Sequence, residues 1–382
     1  MGGRQSNLRA GGLATLLLFC IPSTCLAQTI GIWSSAGELA TVPMSGPAWN
    51  EVLAAAISAE PNAASVANQD SNNNAEILAA AIAYARNGQF IYRDKVVSAV
   101  DNLVAQGQPT GKTLSWARET GAYAMAADLV GYRTTAFETW LRNMAEFYIG
   151  DDGRTLLEMY KRRPNNWGTM AFGTLCAIYR YLGDQRRLLE IRDYWIRSVV
   201  GPKPAELSYG DLSWQVDEAN LRPINPSGAV KQGVNIDGIL PDDMRRGGAF
   251  SIPPRLTGYP WEALQGLMTA AWILERADLE IWSVADNALC RAVAILETTY
   301  ATTFDSRWKA SGDDVWMLPF VDRAYGSNFA QNSSDPDRLW RHGKIAGWGY
   351  VTLASGNGGG DLPPAKTNLV RTPISGCKID LS

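Results

Sequence analysis

The sequence predicts an all-α chain whose helices stack as hairpins and curl into an α/α toroid, an incomplete barrel around a groove. Apolar residues recur at helical spacing in stretch after stretch, and no segment sustains a two-residue alternation of comparable length. Between the stretches, Arg86-Asn87-Gly88, Gly131-Tyr132-Arg133 and Leu182-Gly183-Asp184 carry residues that end one helix and let the next begin. The periodic stretches run over 49–58, 75–87, 94–105, 113–129, 137–148, 167–182, 185–199, 260–276 and 280–300. That many amphipathic helices bury their inner faces by closing into a ring, which leaves one rim of loops exposed.

With 382 residues, 46% of them hydrophobic and 19% charged, the chain has the apolar material for a large core. Arg4 and Arg9 precede the apolar run Leu13–Ile21, and Cys25-Leu26-Ala27 offers a peptidase small residues, so residues 1–27 read as a secretory signal peptide. The expected product is exported, secreted or periplasmic, and monomeric. It should carry no membrane anchor after cleavage, because no later run reaches about 20 apolar residues. Residues 28–354 form the toroid domain and 355–382 a Gly/Pro-rich tail. Between Gly201 and Gly258 the helical pattern gives way to a proline- and glycine-rich segment, and a loop that long in a compact domain usually carries function.

Scarcity excludes whole classes of chemistry. His342 is the single histidine, so Ser-His-Asp catalysis and His-rich metal sites have almost nothing to work with. Outside the signal segment only Cys176, Cys290 and Cys377 remain, enough for one disulfide and too few for a cysteine zinc cluster. Without Arg4 and Arg9, 33 basic residues face 38 acidic ones, and no nucleic-acid partner is expected. No metal-ligand spacing is visible, and we expect no cofactor.

Three clusters stand out. Arg163-Pro164-Asn165-Asn166-Trp167-Gly168 opens a helix, Asp237-Gly238-Ile239-Leu240-Pro241-Asp242-Asp243-Met244-Arg245-Arg246 lies in the long loop, and Tyr259-Pro260-Trp261-Glu262-Ala263-Leu264 opens another helix. Together they resemble the active-site motifs of alginate lyases with an α/α-toroid fold and of related uronate polysaccharide lyases. The chain order and helix placement match over 39–271, and the stretch from Leu39 to Trp49 is also similar. The resemblance implies that Asn166 takes the place of the family's asparagine, Arg246 that of its arginine and Tyr259 that of its catalytic tyrosine. The sequence departs from the family in having Trp167 where a histidine follows the asparagine, and in a longer stretch from Arg246 to Tyr259.

Such a set suits β-elimination from a 4-linked uronate, an anionic polysaccharide. The C5 proton is a very weak acid because the neighbouring carboxylate is negative, so that charge must be neutralised. Asn166 could donate to the carboxyl group, while Arg246 could hold it through a bidentate pair that strengthens as enolate-like charge develops. Tyr259 would then take the proton and pass one to the departing O4. A tyrosine of ordinary pKa, about 10, needs an arginine beside it for this work, and Arg245, Arg246 and Arg255 are near in sequence. His342 is a candidate substitute for the missing family histidine. Asn165, Trp167, Trp214, Trp261 and Asn73 are candidate substrate contacts, the tryptophans because sugar C–H faces pack on aromatic planes.

The same residues have plainer readings. Asn165 and Asn166 are ordinary N-caps, and Asn73 is a cap-and-loop residue. Arg245 and Arg246 could be a solvated charge pair facing Asp242 and Asp243, Tyr259 a packed aromatic and His342 structural. Two other functions remain open: a glycoside hydrolase using carboxyls among Glu119, Asp211, Asp217, Asp237, Asp242 and Asp243, or a non-catalytic polysaccharide-binding or export protein.

Overall fold

The computed structural model describes residues 1–2, 29–343 and 347–353. The expected signal peptide beyond its first two residues, and the tail 355–382, lie outside the described residues. Within them the regular structure is helical apart from one two-stranded hairpin and an isolated bridge between His342 and Trp348. In order come α1 (Ala36–Leu39), α2 (Gly46–Ser58), α3 (Asn73–Asn87), α4 (Phe90–Gln106), α5 (Thr113–Leu129), α6 (Thr135–Glu146), α7 (Leu156–Arg162), α8 (Asn166–Leu182) and α9 (Gln185–Val200). The hairpin of β1 (Val230–Lys231) and β2 (Val234–Asn235) and the short α10 (Pro241–Met244) interrupt the long loop. Then follow α11 (Tyr259–Glu275), α12 (Val284–Ala294), α13 (Ala301–Thr303), α14 (Leu318–Tyr325) and α15 (Phe329–Asn332).

The predicted hairpins are there. Gly88 and Gly183 adopt left-handed conformations at the C-caps of α3 and α8, which turns the chain sharply into α4 and α9. Helices α3, α5, α8 and α11 pack side by side as an inner layer, and α4, α6 and α9 return outside them. Side-chain composition sorts the layers. Every residue of α5 is buried, a pattern only a helix surrounded by protein can adopt. In contrast α4 buries a single stripe of Tyr92, Val96, Ala99, Val100 and Leu103, as an outer helix should.

Small residues let the inner backbones approach closely. A Cβ added at Gly173 in α8 would stand 2.9 Å from the carbonyl oxygen of Gly266 in α11, and one at Gly266 would run into the Thr169 backbone. Between α5 and α8, the Thr174 hydroxyl donates to the Ala117 carbonyl at 2.6 Å. These pairings keep the inner helices parallel, so their N-termini gather at one rim.

The opposite rim is closed by the segment before α1. The Asp128 carboxylate, in the last turn of α5, accepts from the backbone N–H groups of Ile30, Gly31 and Ile32 at 2.8, 2.8 and 3.0 Å. Arg276, just after α11, forms a two-pronged pair with Glu38. Trp33 packs among Trp272, Trp316 and Phe320. Chain ends of the fold meet where Trp348 donates to the Ala75 carbonyl and Tyr350 to that of Pro43. Among the described residues no helix is long and apolar enough to cross a membrane.

Prolonged burial leaves one acidic group stranded. Glu119 of α5 is wholly buried, and neither carboxyl oxygen has a partner. Burial pushes its carboxyl up to about 9, with Asp70 adding to the rise and Arg118 opposing it. The folded protein therefore keeps this proton over a range in which the unfolded chain has lost it, and stability falls as pH rises from the ordinary glutamate range towards about 9. Glu119→Gln removes that slope: in urea unfolding, the variant should gain on the wild type as pH rises, and a pH-independent difference would contradict the assignment. Gly266→Ala should cost about 1–3 kcal/mol by forcing α8 and α11 apart, read from the denaturant midpoint.

Candidate functional site

The rim of inner N-termini is where the three sequence clusters meet. The helix α8 begins at Asn166 because Asn165 caps it, its side-chain oxygen accepting from the Trp167 N–H at 3.2 Å. The other end of the Asn165 side chain donates to Asp242 at 2.8 Å, and the Asn166 N–H donates to Asp243 at 2.9 Å. The long loop is thus pinned to the start of α8 by two adjacent aspartates. The Asn166 side chain in turn donates to Glu262 of α11 at 2.9 Å.

Two neighbouring arginines separate here into different jobs. Arg245 forms a two-pronged pair with Asp242, through Nε at 2.5 Å and Nη2 at 3.0 Å, and the Gly210 N–H adds a further bond to the same carboxylate. This pairing is the plainer reading of Arg245, a charge pair with Asp242, and it takes Arg245 out of the roles of tyrosine neighbour and substrate contact. Arg246 is exposed, and among the described residues it has no carboxylate within ion-pair distance. Its guanidinium lies over the ring of half-buried Tyr259, with Cζ 3.9 Å from the centroid. Tyr259 is the first residue of α11, so Glu262, one turn on, shares its helix face.

The two aspartates differ sharply. Asp242 is saturated by Arg245, Asn165 and Gly210. Asp243 is fully buried with one oxygen lacking any partner. Burial, reinforced by Asp242 and Glu262, holds its carboxyl well above the usual range, against the lowering effect of the Asn166 N–H and Arg246.

Other candidates fall into place around this centre. Trp167 is half-buried at the rim, with the Arg163 guanidinium 5.7 Å from its ring centroid. Arg255 is exposed on the loop leading to α11. Asn166, expected to donate to a substrate carboxyl, is only 1% exposed and spends one amide N–H on Glu262.

Several residues read as substrate contacts are structural instead. Trp214 is 1% exposed, donates to the Gly248 carbonyl and packs against Phe250, and Trp261 is 3% exposed and donates to the Trp308 carbonyl. Both are core residues, because an indole anchored by its N–H beneath the surface offers no plane to a sugar. Asn73 uses its side chain to clasp the Glu60 backbone in both directions. His342 sits against Trp348, above the start of α3, and burial lowers its pKa, which favours the neutral ring. None of its described contacts is with Asn166, Arg246 or Tyr259.

Two residues of the centre escaped the sequence reading. Glu262 accepts from both Asn166 and Arg118, and Arg118, buried on α5, reaches it at 3.4 Å, with side-chain exposures of 6% for the arginine and 34% for the glutamate. The available signal was positional: Glu262 follows Tyr259 by three residues on a helix, and Arg118 is a charge inside a stretch otherwise suited to full burial. Across the rim, the Asn74 side chain donates to the Arg118 carbonyl, so α3, α5, α8 and α11 are joined in one polar network.

The carboxyls of the hydrolase reading are otherwise engaged. Asp237 pairs with Arg291, Asp211 and Asp217 close local turns on Ser213 and Ala219, and Glu119, Asp242 and Asp243 are buried. Among the described residues no group of three or more His, Cys, Asp or Glu side chains could hold a metal ion. Cys176 is a free, buried thiol, whereas Cys290 is disulfide-bonded.

Compared with known proteins, the chain matches no family model and no curated protein. Among solved structures it is similar to an alginate lyase from Bacteroides ovatus, with a TM-score of 0.45 and 14% sequence identity over 74% of this chain and 73% of that one.

Proposed function

We propose that the protein is a polysaccharide lyase that cleaves a 4-linked uronate polymer, of mannuronate or glucuronate type, by β-elimination. The observation that carries this reading is the exposed Arg246 guanidinium, which has no carboxylate partner among the described residues, lying on the Tyr259 ring at the rim of inner-helix N-termini. Arg246 pairs with the uronate carboxylate and draws off charge as the C5–H bond breaks. Tyr259 takes that proton; the C4–O4 bond breaks as the C4–C5 double bond forms, and the departing oxygen receives a proton from the same phenol. In gluco- and manno-configured units the C5 hydrogen and O4 share one face of the ring, so a single tyrosine serves both steps.

The surroundings support an anionic substrate. The N-termini of α3, α5, α8 and α11 direct their partial positive charge to this rim, and Arg163 and Arg255 flank it. Trp167 offers a plane beside Arg163 for a neighbouring sugar. Asn166 retains a second amide N–H, the one not given to Glu262, for the carboxyl group. The hydrolase reading is weaker, because the carboxyls it named are buried, paired or turned into local loops.

Incubation with polymannuronate, glucuronan and mixed uronates should raise ultraviolet absorbance as unsaturated ends appear. New reducing ends without absorbance would indicate hydrolysis, and binding with neither signal a non-catalytic protein. Tyr259→Phe and Arg246→Ala should each lower kcat by at least about 10²-fold while leaving the unfolding midpoint near wild type; full activity in either variant removes it from the assigned role. Because the chain is acidic overall, affinity depends on the local basic rim, and KM should climb as salt is raised through the range where the Debye length shrinks from about 10 Å to about 3 Å.

A further inference from the structure

We propose that Asp243 is the neutral acid in the folded protein and donates its proton to the Asn166 side-chain oxygen, making it the positioning residue for that amide. Two of the relevant bonds are already fixed: the Asn166 N–H donates to one Asp243 oxygen at 2.9 Å, and the Asn166 side-chain nitrogen donates to Glu262 at 2.9 Å. That second bond settles which end of the amide faces α11 and leaves its oxygen on the other side. The oxygen is buried without a partner, and so is the second oxygen of Asp243. Two orphaned acceptors thus belong to residues already held together through the Asn166 backbone N–H, in a protein interior where such groups are normally satisfied. One proton resolves both, because a protonated carboxyl has a hydroxyl donor to offer an amide oxygen.

The alternatives for neutralising Asp243 are taken. On its own turn, Arg245 is committed to Asp242 and Arg246 lies on Tyr259. From α11 it faces the Glu262 carboxylate, from α8 the Asn166 N–H, and behind Glu262 the Arg118 guanidinium of α5 is directed at Glu262. Negative neighbours on two sides and complete burial disfavour a second charge at this position. Asp242 and Asp243, adjacent in sequence, are accordingly an ionised and a protonated carboxyl, with the ionised one capping the loop and the protonated one orienting Asn166.

Substitution separates this from an ionised Asp243. Asparagine supplies the same geometry with a permanent donor, so Asp243→Asn should match the wild-type unfolding midpoint at about pH 4, the ordinary aspartate range, and exceed it increasingly as pH rises, where the wild type carries the cost of retaining its proton. Asp243→Ala should unfold at lower urea throughout. A midpoint for Asp243→Asn as low as that of Asp243→Ala, or a wild type that gains on Asp243→Asn as pH rises, overturns the proposal; the second comparison stands even where the alanine variant does not fold. This stability test is independent of the lyase reading. Where a uronate polymer yields the ultraviolet signal, kcat of Asp243→Asn should lose the alkaline decline of the wild type, and kcat of Asp243→Ala should lie at least about tenfold below it at similar KM. An unaltered alkaline decline in Asp243→Asn would show that the amide is not positioned through this proton.

Discussion

The close approach of α8 and α11 is the constraint on which the site depends. Glycines at 173 and 266 let the two backbones come within van der Waals reach, closer than side chains of any size would allow. An asparagine side chain is short, and only at this separation can Asn166 on α8 touch Glu262 on α11. The same approach sets the two helices parallel and in step, so that the N-cap of one and the first turn of the other open on the same rim. A larger residue at either glycine would therefore act on the rim as well as on the core, by lengthening the one bond that crosses from α8 to α11 at the level of Tyr259.

A rim built this way concentrates polar groups that have lost much of their water. The fold meets that cost unevenly. Asp242 receives a two-pronged arginine, an amide and a backbone N–H, a set sufficient for a full negative charge. Asp243 receives a single backbone N–H, and Glu262 shares one distant guanidinium with an amide while staying partly open to solvent. Among the described residues Arg246 is a cation with no carboxylate partner, and Arg163 and Arg255 beside it likewise form no ion pair. An exposed guanidinium without a carboxylate partner attracts a carboxylate from outside, and its rest position on an aromatic face holds it in place without neutralising it.

Much of the scaffold was legible because burial leaves a period. The stretches 113–129 and 185–199 correspond to helices Thr113–Leu129 and Gln185–Val200, and the glycine punctuation at 88 and 183 falls on left-handed caps. The short helices Leu156–Arg162 and Leu318–Tyr325 escaped notice, since two turns supply too few residues to establish a period. Within the site, the convergence of the α8 start, the aspartate-arginine loop and the α11 start was readable as ordered clusters. What composition could not convey is direction: Trp214 and Trp261 sit beside the clusters in sequence but turn their indoles inward, and Arg245 and Arg246 differ only in which side of a short helix they leave from. Glu262 and Arg118 were invisible for another reason, because their significance arises from a contact between α5 and α11 that no local spacing encodes.

The asymmetry between the two rims explains why chemistry would gather at one of them. At the C-terminal ends of α5 and α11, Asp128 and Arg276 bind the incoming chain so completely that its backbone N–H groups and Glu38 are consumed there. That end of the ring is filled by Trp33 and its aromatic neighbours. The N-terminal rim is covered at the start of α3 by Trp348 and His342, whereas Tyr259, Arg246 and Trp167 remain at least partly exposed. A parallel inner layer makes this outcome electrically consistent: the sealed end gathers carbonyl ends, which basic Arg276 suits, while the open end gathers N–H ends, which suit an anion. The direction in which the inner helices run thus selects both the face that binds and the sign of the charge it binds best.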